Sequence, residues 1–137
     1  RKISGILLES SAEEERLRHV IAGVGVSVNL EPDDYPPELK DKAVSLRMAA
    51  GRPFDRTETA ALFLESLEDL YGLYRREGFG PIRLLWEAHS VTLGRPAVLK
   101  TPLGNVEGVP LGLTEHGALR IRTADGTERD IYSAEFV

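Results

Sequence analysis

The chain has 137 residues, a length that suits one compact domain or one and a half small ones. Its 42% hydrophobic and 28% charged residues exclude a disordered tail, and 17 basic against 22 acidic residues leave a formal charge of −5. That balance argues against an electrostatic nucleic-acid or membrane-surface binder, because phosphate contacts need a basic face. The absence of cysteine excludes a disulfide scaffold, a thiolate zinc site and a cysteine nucleophile, and it fits a reducing compartment. No apolar run approaches the roughly 18 residues of a membrane span, and no stretch reads as a signal peptide. Position 1 is Arg and the one methionine is Met48, so the sequence reads as a piece of something longer.

Residues 2–9 (Lys-Ile-Ser-Gly-Ile-Leu-Leu-Glu) read as a short buried strand bounded by polar residues. Ser10 to Glu15 reads as a polar, acidic turn, and residues 17–30 as a second strand rich in Val and Ile. The two pair as an antiparallel hairpin. Within the second strand Val20, Ala22, Val24, Val26 and Val28 alternate with Ile21, Gly23, Gly25, Ser27 and Asn29. One face is branched and apolar. The other carries two glycines and ends in polar side chains, as a sheet does where a ligand lies close on it.

Residues 31–38 hold three prolines and read as a surface loop, neither helix nor central strand. A short helix is predicted from about Lys40 to Ala50, closed by Gly51. Asp55 then caps a long helix, with Glu58 three residues on completing a capping box. Its predicted core stripe is Ala60, Phe63, Leu64, Leu67, Leu70, Tyr71 and Tyr74, at spacings of three and four. Glu65, Glu68, Asp69, Arg75 and Arg76 take the outer face. Gly78 and Gly80 end it, and Pro81 opens a shorter helix through Trp86 to about His89.

From Val91 glycines and turn residues recur at short spacing. The runs between them favour strands, at Ala97–Lys100, Val106–Leu113, Ala118–Thr123 and Arg129–Tyr132. Asp125-Gly126 is a two-residue hairpin signal and His116-Gly117 marks another turn. About five short strands in this segment indicate a small barrel, with the boundary near Ser90.

Several chemical motifs fail on context. Gly23-Val24-Gly25 begins a dinucleotide fingerprint, but Val28 stands where the third glycine belongs and no helix follows. Ser27 comes near a nucleophile elbow, yet it sits in a strand followed by a proline loop rather than at a strand-to-helix turn. His19, His89 and His116 lie in unrelated elements without ligand spacing, so no metal site is expected. Lys2 has two readings: a solvated strand end, or a fixed positive charge beside a ligand phosphate or carboxylate. Asn29 is equally open, as a strand-end turn residue or an amide reading a ligand edge. Trp86 reads as core or interface packing.

The order of motifs resembles the C-terminal part of a biotin protein ligase. Members carry Lys-x-x-Gly-Ile-Leu-x-Glu, and here Lys2-Ile3-Ser4-Gly5-Ile6-Leu7-Leu8-Glu9 is similar. Their Gly-x-Gly-x-Asn-x-Asn strand resembles Gly23-Val24-Gly25-Val26-Ser27-Val28-Asn29. Ala43-Val44-Ser45-Leu46, Asp55-Arg56, Trp86-Glu87, Leu93-Gly94-Arg95-Pro96-Ala97-Val98 and the closing Ser133-Ala134-Glu135-Phe136-Val137 also have counterparts in order.

The resemblance implies an α+β fold: the second half of a class II synthetase-like mixed sheet with helices over 1–89, then a small SH3-like β-barrel over 90–137. It implies a cytoplasmic ligase that turns biotin and MgATP into biotinyl-5′-adenylate. The biotin is then passed to a lysine of a carboxylase biotin-acceptor domain, the biotin carboxyl carrier protein. Lys2 is the implied catalytic residue, Gly5, Gly23, Gly25, Ser27 and Asn29 the implied adenylate-binding ones, and no protein metal site is implied. A homodimer is a possible assembly, with no nucleic acid bound through this part and no membrane.

Three departures stand out. Ser27 replaces the first family asparagine and Ala134 a glycine. The family's Gly-Arg-Gly-Arg-x-Gly biotin loop lies upstream of this lysine and is absent, so the 137 residues alone are expected to be inactive. The competing readings are a non-catalytic module that kept the sheet and barrel, a lipoate ligase relative, and an unrelated acidic peptide-binding barrel.

Overall fold

A computed structural model describes residues 1–13 and 16–136, which form two compact units, Arg1–Glu65 and Ser66–Val137. In the first unit β1 (Ser4–Glu13) and β2 (Arg16–Val26) make the expected antiparallel hairpin. It is longer than its apolar run: Ser10 and Ser11, predicted as turn, pair with Val20 and His19. The register shifts between Ser11 and Ala12, Ala12 and Glu13 pair with Leu17 and Arg16, and the last turn residues, Glu14 and Glu15, lie outside the described residues. Nor is the hairpin buried. Ile6, Leu7 and Leu8 are about two-thirds exposed and Ile21 is also exposed, so polar residues continue the ladder at no burial cost.

The second strand stops at Val26 rather than reaching residue 30. The backbone beyond it has other partners. Carbonyls of Ser27 and Val28 accept the amides of Leu46 and Arg47, both at 2.9 Å, and Ser45 Oγ accepts that of Met48 at 3.0 Å. These are first-turn donors that a helix cannot satisfy itself. The helix they start, α1 (Leu46–Ala50), is shorter than the predicted 40–50 segment. Residues 40–42 instead form a turn, and Ala43 is drawn into a parallel bridge with Lys2. Gly51 closes α1 as expected, at φ 70°, which a side chain adopts only with strain.

The proline segment is not an open loop. Two 3₁₀ turns, Pro32–Asp34 and Pro37–Leu39, each begin on a proline, where the fixed φ suits a first helical position and the missing N–H is not needed.

The long helix is present as α2 (Arg56–Glu77), and Asp55 Oδ1 accepts the Glu58 amide at 2.9 Å. Its predicted core stripe is uncovered: Leu64, Leu67, Leu70, Tyr71 and Tyr74 are all exposed, and the helix has no buried residue. The helical period is present, but among the described residues none buries that face. After Gly78, α3 (Phe79–His89) starts two residues before the predicted Pro81, which the first turn tolerates.

The second unit ends in a five-stranded antiparallel sheet: β3 (Ala97–Thr101), β4 (Gly104–Leu113), β5 (Leu119–Arg122), β6 (Glu128–Ile131) and β7 (Glu135–Phe136). Their order is β6-β5-β4-β3-β7. Leu99, Pro110, Ala118 and Ile121 form its core. Pro110 sits in a central strand beside a register shift, where a missing ladder donor is tolerated, and its carbonyl accepts the Gly94 amide. Leu113 N donates to Glu87 Oε1 at 2.9 Å, tying α3 to β4. In the Asp125-Gly126 turn, the Thr123 hydroxyl and Thr127 amide hold the Asp125 carboxyl down to about 2.

Backbone approaches closest at Gly108, where a Cβ would fall 2.4 Å from the Arg122 carbonyl oxygen. We expect Gly108→Ala to destabilise the chain by about 1–3 kcal/mol in urea unfolding. An unchanged midpoint would show that β4 and β5 can part without cost.

Candidate functional site

Facing residues of an antiparallel pair share one face of the sheet. Gly5 opposite Gly25 and Leu7 opposite Gly23 therefore put three glycines on one face. A Cβ on Gly25 would meet nothing within 4 Å, and one on Gly23 would meet the Leu7 carbonyl oxygen at 3.8 Å. The three glycines show bare backbone beside the Leu7 side chain, with open space above Gly25.

Lys2 lies over the end of that face. A Cβ on Gly5 would stand 3.5 Å from Lys2 Cε and 3.8 Å from Nζ. The lysine backbone is clamped: its amide donates to the Lys42 carbonyl at 2.7 Å, and its carbonyl accepts the Val44 amide at 3.0 Å. The bridge to Ala43 thus aims an ammonium at the glycine surface.

Just past β2, Ser27 donates its amide to the Ile3 carbonyl at 3.0 Å. It lies on the wall of a cavity of about 510 Å³ lined by Gly25, Val26, Ser27, Val28, Leu30 and Arg56. Asn29 faces elsewhere. Its Nδ2 donates to the Phe54 carbonyl at 2.8 Å and its Oδ1 accepts the Phe54 amide at 2.9 Å, so both ends of the side chain hold backbone. The Arg52 guanidinium stacks 4.3 Å from the centre of the Phe54 ring.

The proline segment beside the site is held by its own contacts. Arg47 pairs with Glu31 at 2.5 Å, Asp34 accepts the Glu31 amide at 2.8 Å, and Tyr35 is buried. Lys40 bonds Asp33 at 2.8 Å, and that hydrogen bond and charge hold the Asp33 carboxyl below the usual carboxylate range.

The structure thus gathers Lys2, Gly5, Gly23 and Gly25 on one surface, with Ser27 at its edge, and turns Asn29 away to Phe54. Among the described residues no three His, Asp or Glu side chains could hold a metal ion together. Sequence reading gave no role to Ser45, Glu87 or Phe54. Ser45 had a signal, a serine directly before a helix; the partners of Phe54 and Glu87 are 25 and 26 residues away and had none.

Residues 92–137 match the family described as Biotin protein ligase C terminal domain. Over 135 residues, 98% of this chain, the sequence is 42% identical to the Bifunctional ligase/repressor BirA of Bacillus subtilis. The chain is homologous to biotin protein ligases. It is 30% identical over 138 residues to the Biotin--[acetyl-CoA-carboxylase] ligase of Paracoccus denitrificans, covering 93% of this chain. A solved biotin protein ligase of Aquifex aeolicus in complex with biotin and ATP superposes at a TM-score of 0.80 with 28% identity, covering all of this chain and 55% of that one. The chain spans 41% of the Bacillus protein and 53% of the Paracoccus protein.

Gly25 has extended backbone and free space, so Gly25→Val should leave folding stability within about 0.5 kcal/mol by urea titration. A loss of several times that would mean the glycine serves packing, not access.

Proposed function

We propose that this chain is part of the catalytic machinery of a longer biotin protein ligase. The observation that carries the reading is a lysine held over a bare three-glycine surface, in a chain homologous to such ligases across 98% of its length. Residues 1–89 serve as the second half of a class II synthetase-like catalytic domain, and 90–137 as an SH3-like barrel. The exposed faces of the hairpin and of α2 support this, since so much apolar surface is rarely left to solvent in a finished domain.

In the first step a biotin carboxylate oxygen attacks the α-phosphorus of MgATP. The new bond gives biotinyl-5′-adenylate, and pyrophosphate leaves with the electrons of the broken P–O bond. Magnesium enters with the nucleotide as substrate. The Lys2 ammonium offsets charge as carboxylate approaches phosphate, and preorganised charge of this kind is often the largest catalytic term. Gly5, Gly23 and Gly25 let the adenylate lie against backbone, Ser27 offers a hydroxyl beside it, and Asn29 holds the Phe54 backbone next to the site. In the second step the amine of an acceptor lysine attacks the acyl carbon, loses a proton, and releases AMP.

The partner is the biotin-acceptor domain of a carboxylase, as the printed name of the Paracoccus relative suggests for that protein. The cytoplasm supplies both substrates, and a homodimer suits the family. The test is biotin-dependent ATP–pyrophosphate exchange, run on the complete gene product and on this chain side by side. We expect exchange from the complete product and none from the 137 residues. Lys2→Ala in the complete product should cost about 10²–10³-fold in the exchange rate. No exchange from the complete product would leave a non-catalytic binding module as the better account.

A further inference from the structure

Arg56 is in an unfavourable place for helix stability. It is the first residue of the 22-residue α2, where the positive end of the helix dipole disfavours a cation. Neighbouring Asp55 has its Oδ1 bonded to the Glu58 amide, and among the described residues no carboxylate pairs with Arg56. A basic residue against the local rule, without an evident gain in stability, marks a place where function outweighs fold. Arg56 lines the cavity of about 510 Å³ whose other wall residues, Gly25, Val26, Ser27, Val28 and Leu30, come from the end of β2 and the residues after it.

Gly25 is also the cross-strand partner of Gly5, over which Lys2 lies. A wall residue of the Arg56 cavity is thus the ladder partner of the glycine that Lys2 covers. The position of Arg56 is set by Asn29: its two bonds to the Phe54 backbone fix the chain two residues before α2, and Arg52 stacks on the same phenylalanine.

Resting on the ligase reading above, we infer that Arg56 binds the phosphate chain of the nucleotide and that Asn29 is its positioning residue rather than a nucleotide contact. A planar guanidinium with free N–H groups takes phosphate oxygens in paired hydrogen bonds. Lys2 serves the reacting end, and Arg56 serves the phosphates that depart as pyrophosphate.

The experiment measures binding of ATP, inorganic pyrophosphate and adenosine to the complete gene product by calorimetry, beside steady-state exchange. Arg56→Ala should weaken ATP and pyrophosphate about 10- to 100-fold, the size of a lost charged hydrogen bond, and leave adenosine binding and the KM for biotin unchanged. Arg56→Lys should recover part of the loss. Asn29→Ala should raise the KM for ATP in the same way, and the Asn29→Ala/Arg56→Ala double variant should be no worse than Arg56→Ala alone.

Equal losses for adenosine and ATP would place Arg56 at the base and overturn the inference, as would additive losses in the double variant or no pyrophosphate binding by the unmodified protein. Exchange that proceeds normally in Arg56→Ala overturns the inference and leaves the ligase reading standing. Arg56-dependent pyrophosphate binding without any biotin-dependent exchange does the reverse.

Discussion

The first unit depends on what happens to the backbone in the four residues after β2. A strand that continued in the ladder would keep its carbonyls for a neighbouring strand. Here those of Ser27 and Val28 accept the opening amides of α1, and that of Leu30 accepts the Ser45 hydroxyl at 2.6 Å. Ser45 in turn caps Met48 and is fully buried. Between these, the Asn29 side chain completes two backbone bonds at Phe54, just ahead of α2. One short segment thereby anchors the hairpin and the starts of both helices of the unit. Each bond contributes on the order of 1 kcal/mol, but leaving the donors buried and unmade would cost more than making them gains.

This local order coexists with little apolar burial. Tyr35, Leu99, Ala118 and Ile121 are the buried hydrophobic residues among those described. A two-stranded hairpin is marginal on its own in water, and this one shows Ile6, Leu7, Leu8 and Ile21 to solvent. The α2 stripe is amphipathic in the ordinary helical way, yet its leucines and tyrosines remain exposed. Polar and backbone contacts therefore carry the definition of the first unit, while the five-stranded sheet of the second keeps a small apolar core of its own. The same openness leaves the glycine face accessible to a ligand. A residue packed there to steady the hairpin would occupy the space above Gly25.

Local signals in the sequence were the reliable ones. The alternation in 20–26, the capping aspartate before α2 and the glycine after α1 all act within a few residues and stand in the structure, and a turn lies at Asp125-Gly126, though longer than the two residues expected. What went wrong needed partners far along the chain. The strand was carried past Val26 because nothing in 27–30 announces that residues 46, 47 and 54 will take its hydrogen bonds. The helix from residue 40 was drawn too early because the Lys2 bridge to Ala43 spans 41 positions. Periodicity found the α2 stripe but cannot say what covers it. At two residues, β7 is too short for any pattern, and its pairing to Leu99 and Lys100 is a property of the sheet.

The departure from family pattern at Ser27 follows from the same geometry. Of the two asparagines in the family's strand motif, this chain keeps the second, Asn29, and that side chain holds Phe54 with both of its polar atoms. Neither serine nor any shorter side chain could make that pair of bonds, because they require an amide carbonyl and an amide N–H side by side. Position 27 carries no such duty. Its structural bonds come from its backbone, to Ile3 and Leu46, and any residue supplies those. The side chain at 27, on the cavity wall, is therefore free to change without cost to the fold, whereas the one at 29 is tied to it. A serine at 27 with an asparagine at 29 is the pattern expected when the fold uses only the backbone at the first position and the side chain at the second.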